Sequence, residues 1–186
     1  MPESPISPRD LATYTAGGFD RGASRLKEAA WVCIKWLFFQ SAFPWPSGVR
    51  VFWLRCFGAE VGTGVVIRSR TNITFPWRLI AGNHVWIGEE AYILSLARVT
   101  LEDSVCISQR AFLCTGSHDY QKPTFDLITA PITLRRGSWI AAQAFIGPGV
   151  EVGQGSVVAA GSVLLESIGP KVLVRGNPAA VVKQVD

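Results

Sequence analysis

The chain has 186 residues, 48% of them apolar and only 17% charged, which leaves room for one ordinary domain plus a short appendage and excludes a disordered chain. Eighteen glycines, eleven prolines and seven tryptophans against one methionine favour turns and flat packing surfaces over a helical bundle. The formal charge of +4 comes from 18 basic and 14 acidic residues with no block denser than Arg135–Arg136 and no nucleic-acid-reading pattern. No nucleic-acid partner is expected, and an anionic small molecule accounts for the excess.

Residues 1 to about 22 carry Pro2, Pro5, Pro8, Gly17, Gly18 and Gly22 and read as an extended, mobile or partner-draped arm. The start, MPESPISPRD, lacks the basic-then-apolar pattern of a secretory leader. Cys33, Cys56, Cys106 and Cys114 show no CxxC spacing, so free thiols in a reducing cytoplasm are expected. From Ser24 a stretch without Pro or Gly, with Leu26, Ala29, Ala30, Cys33, Ile34 and Leu37 at helical spacing, predicts a helix of about 16 residues ending before Pro44. Trp31, Val32, Trp36 and Phe39 make the other face apolar too, so this helix needs cover on several sides. Packing on the protein or a neighbouring subunit is the favoured cover, and a shallow seat of residues 24–43 on a membrane surface is the alternative. The 14 uncharged residues between Lys35 and Arg50, broken by Pro44 and Pro46, fall short of the roughly 18–20 that a spanning helix needs.

After Gly58 a repeat begins. An aliphatic residue recurs every sixth place: Val61, Ile67, Ile73; Ala81, Ile87, Ile93; Leu101, Ile107, Leu113; then Leu134, Ile140, Ile146, Val152, Val158, Leu164. Fourteen of these fifteen are Ile, Leu or Val, Ala81 being the exception. Period six matches neither the 3.6 of a helix nor the 2 of a plain strand. It fits a short strand and a tight corner, three of which close one triangular coil, with small residues such as Gly147, Gly153 and Ala159 where the backbone crowds. The fold expected is a parallel β-helix of five coils, about 24 Å tall. Residues 1–60 form the arm and apolar helix, and residues 61–186 the β-helix domain with its C-terminal tail. The steps 73 to 81 and 93 to 101 each add two residues at one corner, and at that corner 113 to 134 opens into a loop, about 116–131. Long loops on a rigid solenoid are commonly functional.

That loop begins with one of the two histidines, His118, in SHDY. An imidazole is the usual side chain for taking a proton from a hydroxyl near neutral pH. Asp119 and Asp126 are candidates to orient it. His84, in AGNHVWIG, sits at a predicted corner and reads as structural or solvated. The glycines of IGPGVEVGQG fall on repeat corners with no GK[ST] after them, so they are not a phosphate loop.

VWIGEEAYI, VCISQRAFLCTGSHDY, FDLITAPI, GSWIAAQAFIGPGVEVGQGSVVAAGSVL and RGNPAAVVK together resemble the hexapeptide-repeat acyltransferases over about residues 50–185, specifically the colanic acid biosynthesis acetyltransferase type. More distantly the chain is similar to the galactoside and maltose O-acetyltransferases. The resemblance implies a left-handed β-helix and acetyl-CoA-dependent O-acetylation of a saccharide or lipid-linked saccharide in polysaccharide biosynthesis. It also implies a cytoplasmic homotrimer with active sites between adjacent prisms and no metal. His118 matches the family's catalytic base, acting by direct transfer. Ser95 stands where relatives commonly carry an Asn on the acceptor side. Ala142 and Ala160 match backbone contacts to the pantetheine arm, Trp139 a recurring tryptophan near that groove, and Lys183, with Arg175 beside it, a basic position near the CoA phosphates. A zinc enzyme of the γ-carbonic-anhydrase kind needs three histidines, and the chain has two. A non-catalytic β-helix scaffold and an acyltransferase for a non-sugar acceptor are the remaining alternatives.

Overall fold

A computed structural model of the chain describes residues 10–14 and 16–185. The beginning of the expected arm, residues 1–9, lies outside the described residues. Short parallel strands stack into three sheets that face one another as a left-handed β-helix. The first sheet stacks Glu60–Val61, Leu79–Ala81, Val99–Leu101, Ile132–Leu134 and Glu151–Val152. The second stacks Val66–Ile67, Trp86–Ile87, Cys106–Ile107, Trp139–Ile140, Val157–Val158 and Val172–Gly176, with Ala179–Gln184 added antiparallel at its edge. The third stacks Asn72–Ile73, Tyr92–Leu94, Phe112–Cys114, Phe145–Ile146 and Val163–Leu164.

Strands of two or three residues cannot hold themselves; stacking does it, by burying one apolar column per sheet. The columns are the sixth-place residues. Val61, Ala81, Leu101, Leu134 and Val152 are Cα partners in the first sheet. Ile67, Ile87, Ile107, Ile140 and Val158 line up in the second, and Ile73, Ile93, Leu113, Ile146 and Leu164 in the third. All but Val61 are buried, each contributing about 1.5–3 kcal/mol of apolar burial. Corner glycines answer to crowding between coils: a Cβ on Gly153 would lie 2.3 Å from the carbonyl carbon of Gly169 in the next coil. A part of a sixth turn lies beyond the five expected coils, because Ile168 bridges Val152 and Val174 pairs with Val158. The step from Leu164 to Ile168 is four residues, so a count of six ends one coil early.

The expected helix forms in two parts. Ser24 caps α1 (Arg25–Ile34), its Oγ accepting from the Lys27 N–H at 3.3 Å, and Lys35–Gln40 continues it with wider π-helical turns. A second helix, α2 (Ser47–Cys56), was not foreseen: Pro44 and Pro46 read as the end of one helix, whereas Pro46 is the residue on which the next begins. Both helices seal the open end of the first coil. Trp31 Nε1 donates to the Ile73 carbonyl at 3.0 Å, Arg50 Nη1 to that of Ile67 at 3.1 Å, and Arg55 Nη2 to that of Val61 at 2.8 Å. The Ser47 hydroxyl takes the Ile67 N–H at 3.1 Å. Sheet edges are thereby satisfied that would otherwise template further pairing. Trp31, Phe39, Val51 and Leu54 enter the same core as the prism columns.

Of its apolar sides, the helix buries the one that carries Trp31 and Phe39. Leu26, Ala29, Ala30, Cys33 and Leu37 on the other side are exposed, and of that helically spaced set only Ile34 packs on the core. Two large rings, one with an N–H that finds an acceptor, bury more area than a stripe of alanines. The described part of the arm drapes along this chain: Phe19 stacks on Phe75, Trp77 Nε1 donates to the Arg21 carbonyl at 2.8 Å, and Arg78 donates to that of Asp20. No helix among the described residues is long and apolar enough to cross a membrane.

Candidate active site

The corner joining the third sheet to the first is where the chain lengthens, and at the third coil it opens into an antiparallel hairpin of Gly116–His118 with Leu127–Thr129. His118 ends the first strand. Its Nδ1 lies 2.8 Å from the Phe125 carbonyl oxygen, and its ring stacks on the Phe125 ring at 4.2 Å with the planes 3° apart. A carbonyl only accepts, so Nδ1 carries the proton and the Nε2 lone pair is left to take another. Phe125 has φ +50°, a left-handed conformation uncommon for an aromatic residue, and this turn aims its carbonyl at the imidazole.

Asp119 and Asp126, the expected orienting residues, are engaged elsewhere. Lys122 Nζ is 3.0 Å from Asp126 Oδ2 and 3.8 Å from Asp119 Oδ2, and Asp119 Oδ1 also accepts the Gln121 N–H. Thr124 and Lys122 hold the Asp126 carboxyl below its ordinary range. The orienting group is the Phe125 backbone, which no side-chain motif could have disclosed. Tyr14 is the other residue missed: its ring meets His118 edge-on at 5.7 Å, while the Asp10 N–H donates to the Pro123 carbonyl at 3.1 Å, fastening the arm to the loop.

Ser95 lies at the same corner one coil earlier and is fully buried. Its hydroxyl accepts the Phe75 N–H at 2.9 Å and donates to the Phe75 carbonyl at 3.0 Å. Both capacities are used in clamping the second coil to the first, so the expectation that Ser95 serves the acceptor finds no support in its geometry. His84 lies at a third corner, between the first and second sheets, at φ +57°, and its ring covers Gly64 so closely that a Cβ there would meet Nδ1 at 2.4 Å. That is a packing role. No group of three His, Cys, Asp or Glu able to hold a metal occurs among the described residues.

The remaining expected residues gather on the second sheet and its corner with the third. Trp139 points outward, its Nε1 donating to Ser108 Oγ at 2.8 Å, and with Trp86 and Arg68 it lines a groove of about 460 Å³. Burial pushes the Cys106 thiol in this groove up, keeping it an unreactive thiol at neutral pH. Cross-strand register runs Trp139, Val157, Leu173, Lys183, placing the exposed Lys183 about 14 Å along the ladder from Trp139. Arg175 is exposed on the same terminal hairpin, paired with Ala180.

Ala142 and Ala160 stack at the corner, where the Gly161 N–H donates to the Ala142 carbonyl at 2.9 Å. Ser69, Glu89 and Gln109 hold the equivalent places in the earlier coils, and the Ser69 hydroxyl bonds Glu89. A methyl group at 142 and 160 leaves the corner backbone open to an extended chain laid along it. His118 and this alanine corner therefore hang from different corners, with the third sheet between them. Within one chain these two sets of residues are not brought together.

Among known proteins, no family model matches the chain. It is 36% identical over 180 residues, 95% of this chain and 97% of the other, to the protein named as the colanic acid biosynthesis acetyltransferase WcaF of Escherichia coli K12. Galactoside O-acetyltransferase of the same organism is 29% identical over 131 residues, 69% of this chain and 64% of that one. A solved hexapeptide-repeat acetyltransferase of Vibrio cholerae O1 biovar eltor, complexed with acetyl coenzyme A, superposes with a TM-score of 0.80 at 25% identity, over 94% of this chain and 96% of that one. With a prism of sixth-place columns, an extruded histidine loop and a near-full-length relative of that kind, the chain belongs to the hexapeptide-repeat acetyltransferases, of the colanic acid biosynthesis type.

Proposed function

We propose that this acetyltransferase moves an acetyl group from acetyl-CoA to a hydroxyl of a saccharide or lipid-linked saccharide during polysaccharide biosynthesis, working in the cytoplasm as a homotrimer. The observation that carries the proposal is the imidazole of His118, held by the Phe125 carbonyl with Nε2 left to accept a proton. The acceptor hydroxyl gives its proton to Nε2 as its oxygen attacks the thioester carbon. As the tetrahedral species collapses and the carbon–sulfur bond breaks, the imidazolium returns the proton to the departing thiolate. Donor and acceptor meet directly, so no acyl-enzyme forms.

Ala142 and Ala160 would seat the pantetheine arm against the open corner, Trp139 would flank it, and Lys183 and Arg175 would face the phosphates. This reading needs a neighbouring prism, supplied in the proposed trimer, because the two half-sites of one chain lie on different corners. Two relatives bear on it: the one named for colanic acid biosynthesis and the one solved with acetyl coenzyme A. The test is a panel of glycans and undecaprenyl-linked saccharides incubated with acetyl-CoA, following free thiol and acetylated product. Thiol release that depends on a carbohydrate acceptor supports the reading, while release with only non-sugar acceptors, or with none at all, overturns it.

A further inference from the structure

We infer that the helical cap, residues 21–59, docks on a lipid bilayer surface carrying anionic headgroups. The first observation is an apolar surface that this chain does not cover. Leu26 is 81% exposed, Trp36 70%, Phe43 58% and Phe52 57%. Phe43 and Phe52 are the two ends of one run of rings. Phe43 packs on Trp45 with centroids 4.6 Å apart, Trp45 on Phe38 at 4.9 Å, Phe38 on Trp53 at 5.5 Å and Trp53 on Phe52 at 5.2 Å. The Trp45 indole N–H reaches the Leu37 carbonyl at 3.2 Å, bringing in the turn that carries Trp36. A connected run of rings, half-buried at Phe38, Trp45 and Trp53 and exposed at its two ends, Phe43 and Phe52, on short helices is the composition of an interfacial anchor.

The second observation is charge. Residues 21–59 hold six basic side chains, Arg21, Arg25, Lys27, Lys35, Arg50 and Arg55, against the single acid Glu28, so this segment alone carries more positive charge than the whole chain. Among the described residues only Arg21 of the six is paired with a carboxylate, that of Glu28. The basic excess that suits a small anion on sequence grounds is concentrated here, at the opposite end of the prism from Lys183 and Arg175. Beside the aromatic run, Arg50 and Arg68 line a cavity of about 280 Å³ with Trp45, and one buried guanidinium nitrogen of Arg50, Nη2, has no partner. Cations around exposed rings match anionic headgroups above acyl chains. A second copy of the same surface would set like charge against like.

Flotation of the full chain on vesicles tests this without acceptor or acetyl-CoA, so its failure is separate from failure of the acetyl-transfer reading. The protein should float with phosphatidylcholine vesicles containing about a third phosphatidylglycerol, not with pure phosphatidylcholine, and should detach as salt rises. The triple variant Trp36→Ser/Phe43→Ser/Phe52→Ser should bind at least about tenfold more weakly, with unchanged circular dichroism and the same mass by light scattering. Arg25→Glu, at an exposed position, should weaken binding in the same direction. Failure of the wild type to float on anionic vesicles, or equal flotation of wild type and triple variant, overturns the inference. A fall in oligomeric mass of the triple variant with vesicle binding intact also overturns it, assigning the surface to a neighbouring subunit.

Discussion

Replacing Ser95 by alanine separates a structural hydroxyl from a catalytic one. The hydroxyl is fully buried and makes two bonds, both to the backbone of Phe75, itself 5% exposed. Alanine leaves the buried Phe75 N–H without a partner, while the Phe75 carbonyl keeps the Arg78 N–H at 3.1 Å; one orphaned donor costs about 1–3 kcal/mol. For a chain of this length each kcal/mol moves the midpoint by about 2–4 °C, which places Ser95→Ala roughly 2–12 °C below wild type in thermal melts at matched protein concentration. At temperatures where both proteins are folded, kcat/KM should stay within a few-fold of wild type. A variant with wild-type stability and a rate loss of about 100-fold or more would refute the clamp and return Ser95 to the reaction.

Arg135 bridges Glu102 and Glu151 across three coils, at 2.8 Å from each, and its hydrogen bonds hold both carboxyls below their ordinary range. Depressed carboxylates stabilise the fold above their unfolded pKa of about 4.3 and lose that contribution as pH falls through the folded values. Arg135→Leu should therefore melt below wild type at pH 7, with the gap closing in acid; a gap that widens on acidification would contradict the assignment. Ala142→Trp should fill the open corner and raise KM for acetyl-CoA at least about tenfold with the fold intact, as judged by circular dichroism. Unchanged KM would remove Ala142 from the donor groove. Refolding His118→Ala and Ala142→Trp chains together, and assaying at acetyl-CoA well below the raised KM, should bring activity to about a quarter of wild type, above either variant alone, if each site draws its base and its groove from different subunits; no such rise would place both in one chain.

The prism was legible because each sixth-place residue is specified by its own burial, independent of the rest of the chain. Leu101, Ile107 and Leu113 declare their coil even though the next begins only at Leu134. The loop at His118 was legible as an interruption of that count. What could not be read is carried by groups without a side-chain signature or by choices among equals. Phe125 orients the histidine through its carbonyl, and any residue would supply the same atom. Ser95 reads as a polar corner residue until the Phe75 backbone is seen around it. The α1 helix is apolar on every side, so its buried face is decided by where Trp31 finds the Ile73 carbonyl. The α2 helix hid behind Pro46, a residue that both stops and starts helices. The distribution of charge between cap and prism emerges only when the fold separates the two ends.

The most direct test falls on His118. Measured at saturating acetyl-CoA with a competent glycan, His118→Ala should lower kcat by at least about 100-fold while acetyl-CoA binding, followed by calorimetry, stays within a few-fold of wild type. A variant that keeps its rate, or one that loses rate only because it no longer binds acetyl-CoA, would contradict a base oriented by the Phe125 carbonyl.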